Sequence, residues 1–180
     1  MTPSYNAASQ RHPGGRAARR ALLVAGAAGT LHALVSLYWA VGGTWLLETL
    51  GARVLEAFAG LELVLLPVAA VKLTGAWLPL VLHRHGWPHA RLWRTACWAG
   101  AAVLTAWGGS NTVVGHLVLA GVVRPEGGYD RAAMIGHAWL WDPLFLLWGL
   151  ALATGLWLSR PTRTPRAPTP TAIAGLDRTP

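Results

Sequence analysis

Charge and cysteine are scarce in this chain. Only 12% of its 180 residues are charged, about half of the roughly 25% usual in a soluble domain. Such a composition belongs to the membrane class. Cys97 is the sole cysteine, so no internal disulfide can form. Lys72 is the sole lysine among fifteen basic residues. The chain also lacks a Walker loop, HExxH, CxxC and GxGxxG, so it carries no signature of nucleotide binding or zinc hydrolysis. His83, His85 and His89 lie close together but in a basic loop with no Cys or acid beside them, and no metal or cofactor is expected.

What the chain has is apolar length. It is 53% hydrophobic, with mean hydropathy +0.39 and eleven Trp, a residue that favours bilayer interfaces. The fold class expected is all-α: a polytopic membrane protein, built as a four-helix transmembrane bundle with disordered tails. Residues 1–20 and 159–180 are polar or rich in Pro, Thr and Arg and read as the tails. The net charge of +8 comes from Arg at segment ends, as topogenic signals require, so nucleic acid is not an expected partner.

Four spans are expected, at about 21–41, 57–82, 93–123 and 143–158. The first opens behind Arg16, Arg19 and Arg20 like a signal peptide, but its uncharged run reaches Leu47, too long for a signal core. His32, Ser36, Trp39 and Gly43 fall on one of its faces. In the second, Leu61–Leu82, only Glu62 and Lys72 interrupt the apolar run. Ionisable groups inside a span are costly and therefore candidates for function. They lie about 15 Å apart along the axis, too far for a direct ion pair, and Pro67 predicts a kink. The third span would measure about 46 Å against a hydrocarbon core of about 30 Å, which predicts a tilt, a projection or a break at Gly108–Asn111. Asp142-Pro143 reads as an N-cap and first helical residue of the fourth.

Arginines precede span one, lie between spans two and three, and follow span four. The positive-inside rule then places both termini in the cytoplasm. With that threading, His32, Trp39, Glu62, Asn111, His116 and Asp142 reach similar depth in the outer half and are the candidate lining of an intramembrane polar pocket. Lys72 and His137 are secondary candidates, with Lys72 expected to snorkel inward. Each residue also has an ordinary role open to it: histidines bonded between helices, Trp as interface anchors, Asp142 as a cap.

The stretch LHALVSLYWAVGGTWLLETLG, Leu31–Gly51, resembles an uncharacterised family of small bacterial four-span integral membrane proteins. In that family a His/Tyr-Trp-Ala-x-Gly-Gly run closes the first span. WDPLFLLWGLAL, from Trp141, is similar to the family's last helix. The resemblance implies a multi-pass protein of a bacterial inner membrane and no particular activity.

Three functions compete. The first is a non-enzymatic membrane protein whose polar pocket binds a small amphiphile or a membrane protein partner, with the bilayer as its surroundings. The second is a membrane enzyme acting on a lipid or isoprenoid, with Glu62 and a His for acid–base work. The third, ranked last, is a haem protein with His32 and His116 as axial ligands.

Overall fold

In the computed structural model, residues 13–160 are described. The helices are α1 (Pro13–Ala40), α2 (Ala52–Phe58), α3 (Leu65–Arg84), α4 (Ala90–Leu119), α5 (Arg131–Gly136) and α6 (Asp142–Leu158). Short 3-10 turns, Leu47–Leu50 and Glu62–Val64, precede α2 and α3, and a π turn, His137–Trp141, joins α5 to α6. No strand occurs among the described residues. Most of both expected tails lies outside the described residues, but Pro13–Arg20 is helical and extends the first span toward the N-terminus.

The expectation of four spans is corrected to three. Gly14–Ala40, Glu62–Arg84 and Arg131–Leu158 are long and apolar enough to cross a membrane. With them the chain is a multi-pass helical membrane protein. Helix α4 has the length but not the apolarity, because Arg91, Arg94, His116 and the run Gly108–Thr112 dilute its Val, Leu and Trp. The last span is longer than expected because the π turn carries the helix from Arg131 into α6 without a stop. Asp142 is therefore inside a continuous helix and caps nothing. The cap is Asp130, whose carboxylate accepts the Ala133 N–H at 3.1 Å. The π turn has a local cause: a proline clashes with the carbonyl four residues earlier. For Pro143 that carbonyl belongs to Trp139, inside the turn.

Two further expectations change. Pro67 sits in the first turn of α3, where its missing N–H removes no helical hydrogen bond, so it has no kink to make. Gly108–Asn111 does not break α4, which is continuous to Leu119. Its glycines serve packing instead. A Cβ on Gly108 would lie 2.5 Å from the Leu146 backbone N and 2.6 Å from the Asp142 carbonyl O. One on Gly115 would lie 2.9 Å from the Ala138 Cβ. Helices α4 and α6 thus touch backbone to backbone, as small residues permit in membranes.

The long helices form a row. Helix α3 packs on α1, α1 on α6 and α6 on α4, with no comparable contact between α3 and α4. The buried face of α1, with Leu22, Ala25, Ala28 and Gly29, is small enough for Ala76 of α3 and Trp148 of α6 to approach it. Outward faces carry exposed Leu31, Leu34, Val71, Val103 and Leu150, an apolar surface suited to lipid. The two ends of the row differ. At one, Leu22 meets Gly155 and Arg94 donates to the carbonyls of Leu156 and Ser159. This end also receives Arg84 and Arg160. The other holds Trp39, Trp141, Glu62, Asp130 and a cavity.

Candidate functional site

The cavity has a volume of about 530 Å³ and lies between α1, α3, the α5–α6 junction and the segment between α1 and α3. His32, Ser36 and Trp39, the polar face of α1, line it, together with Gly43 just beyond the end of the helix. Lys72 enters from α3 and Phe145 from α6. The roof is apolar: Leu47, Leu50, Val54, Leu55, Phe58 and Leu65. Val54, Leu55 and Phe58 come from α2, a helix of two turns, too short for a clear period, that crosses the expected start of the second span at residue 57.

At the base, Lys72 Nζ donates to Ser36 Oγ at 2.8 Å and lies 3.1 Å from His32 Nδ1. Ser36 in turn donates to the His32 carbonyl O at 3.2 Å. The His32 ring packs on Phe145, with centroids 4.0 Å apart, and its Nε2 is buried without a partner. Lys72 has no carboxylate within ion-pair distance among the described residues, where His137–Asp142 is the sole ion pair. The lysine does not snorkel to the basic end. Helical side chains lean toward their own N-terminus, and the N-terminus of α3 is the cavity end, so the ammonium is carried toward His32 and Ser36.

The roof is tied down by tryptophans and an aspartate. Trp39 Nε1 donates to the Trp45 carbonyl O at 3.0 Å, and Trp141 Nε1 to Thr49 Oγ1 at 2.9 Å. The two indoles meet edge to face at 5.2 Å, a favoured aromatic geometry. Asp130 accepts the Ala52 N–H at 3.2 Å besides capping α5. These backbone N–H donors hold its carboxyl below the usual carboxylate range.

The six pocket candidates divide. His32, Trp39 and Glu62 line the large cavity, while Asn111 and Asp142 line a smaller one of about 340 Å³. His137 borders both. His116 lines neither, since its Nδ1 is 2.7 Å from the Thr112 carbonyl O and its ring meets Trp139. Glu62 lies exposed at the rim and accepts the Gly60 N–H at 2.9 Å. It engages no histidine or asparagine among the described residues. Asp142, 1% exposed, accepts from or shares a proton with His137 Nδ1 at 2.9 Å. His32 and His116 bond different partners and border no common cavity. No group of three or more His, Cys, Asp or Glu converges among the described residues.

Residues 29–152, more than half of the chain, match a family described as a protein of unknown function (DUF3995). The chain belongs to that family. The matched segment includes His32, Ser36, Lys72 and Phe145, and so the whole base of the cavity. DUF3995 membership replaces the resemblance to a four-span family, because three helices, not four, qualify as spans. No curated protein and no solved structure matches the chain.

Proposed function

We propose that this DUF3995 member is a non-enzymatic membrane protein whose cavity binds a small amphiphile. The observation that carries the reading is Lys72 at the base of an apolar chamber, hydrogen-bonded to Ser36 and set against His32, with no acid beside it. Ionisable groups at membrane depth persist where they meet a partner or a ligand. Drug-sized sites elsewhere are chambers of about 300–1,000 Å³ with apolar walls and few polar groups, and about 530 Å³ lies within that range. An acid–base role for Glu62 has less support, since its carboxylate is engaged by the Gly60 N–H.

The protein would lie in a bacterial inner membrane with its arginine-bearing end in the cytoplasm. Both ends of the described chain, Pro13 and Arg160, belong to that end, because Leu22 of α1 meets Gly155 of α6.

Organic extraction of the purified protein tests the reading. A small single-tailed lipid should be recovered near one per chain, and should be lost when Phe58→Asp places a charge in the roof. Recovery of bulk membrane phospholipid alone, unchanged by that variant, would count against it.

A further inference from the structure

We infer that the cavity selects an amphiphile with one tail and a monoanionic carboxylate head, seated on Lys72. This inference rests on the reading of the cavity as an amphiphile site, and it names the chemistry of the head.

The hydrogen-bond count sets the sign of the head. An ammonium has three N–H donors and no acceptor. Ser36 Oγ and His32 Nδ1 take two of them, at 2.8 and 3.1 Å, leaving the third for a ligand. Because Lys72 can only donate, His32 Nδ1 accepts, and the neutral ring then carries its proton on Nε2. That nitrogen is buried without a partner in a residue only 6% exposed. Ser36 Oγ–H is already given to the His32 carbonyl. The base therefore has an ammonium donor to spare, against a single remaining lone pair on Ser36 Oγ as acceptor. An amine head would meet a like charge, and an alcohol would leave the ammonium uncompensated.

The charge count sets the size of that charge. Lys72 is the sole Lys or Arg of the lining. The His137–Asp142 pair adds no net positive charge, and Glu62, the one acid of the lining, lies exposed at the rim, away from the base. One cation balances one negative charge. A dianionic phosphate monoester would keep an unbalanced charge against apolar walls, which is costly. The space sets the tail: about 530 Å³ suits a drug-sized ligand, hence one tail lying under Leu50, Val54 and Phe58.

Native mass spectrometry of the full chain, released from a non-ionic detergent, would test this with four probes sharing one tail: dodecanoate, dodecanol, dodecylamine and dodecyl phosphate. The wild type should bind dodecanoate at least about ten-fold tighter than the other three, as a hydrogen bond to a charged group warrants. In Lys72→Met the preference over dodecanol should shrink to within about two-fold, with dodecanol still bound. Lys72→Arg should keep the preference for the anion. Dodecylamine or dodecyl phosphate binding as tightly as dodecanoate would overturn the head assignment while leaving the cavity an amphiphile site. So would an undiminished preference in Lys72→Met. Failure of all four probes to bind would overturn the cavity reading and this inference together. If Lys72→Met does not fold, the wild-type series alone decides.

Discussion

Lys72 Nζ and His32 Nδ1 lie 3.1 Å apart across the contact between α3 and α1, forty positions apart in sequence. The pair joins a cation to a neutral acceptor and leaves the positive charge unbalanced. A site held for stability would favour an apolar side chain there, since buried charge is often replaced by hydrophobic groups at no loss. Lys72→Met should therefore melt at or above the wild-type temperature, with a gain of about 1 kcal/mol or more, while losing ligand affinity. A fall in melting temperature would assign Lys72 a structural role.

His32→Ala should behave in the opposite way. It removes a ring packed at 4.0 Å on Phe145 and 5.7 Å from Trp141, and opens a void in the row. A loss of about 2–4 kcal/mol is expected, by analogy with large-to-small core changes. Equilibrium unfolding in detergent reads it, and a neutral result would show that the ring contributes no packing.

The glycines of α4 give a paired test. Gly108→Ala would push a methyl group into the α6 backbone at Leu146 and Asp142, costing roughly 1–3 kcal/mol as overpacking does. Gly100 meets nothing within 4 Å, so Gly100→Ala should be neutral or gain up to about 1 kcal/mol of helix propensity. Thermal melts that rank the two variants equally would argue against the close α4–α6 contact.

Those glycines also show where sequence reading stops. The run Gly108–Asn111 looks like a break, because glycine weakens a helix locally. Only the position of the Asp142 carbonyl beside Gly108 reveals a crossing point. The all-α class and the polar face of α1 were legible, since both follow from composition and helical spacing. The count of spans was not, because α4 is long enough but too polar. Lys72 could have been placed correctly from the lean of helical side chains toward the N-terminus. Glu62 could not, because its bond to the Gly60 N–H depends on a turn with φ +77° at Gly60. The roof was missed for want of a period in Ala52–Phe58.

Acid should loosen the roof. The carboxyl of Asp130 is held low by the N–H groups of Ala133 and Ala52. A depressed folded pKa gives stability that is present above the ordinary aspartate value of about 4 and is lost as pH falls through the folded value. Hydrogen exchange at Ala52 should therefore gain protection above that range and lose it below. Asp130→Asn should lack that pH dependence, and exchange at Ala52 that ignores pH in the wild type would deny the tether.

The account stands or falls on occupancy of the chamber above Lys72. Photocrosslinking with dodecanoate carrying a diazirine at its tail end, added to the protein in bilayer discs and mapped by mass spectrometry, measures this most directly. Label should concentrate on the roof, at Leu50, Val54, Phe58 and Leu65, and should fall several-fold in Lys72→Met. Label spread evenly over the outward residues Leu31, Val71, Val103 and Leu150, with no excess at the roof, would contradict the account.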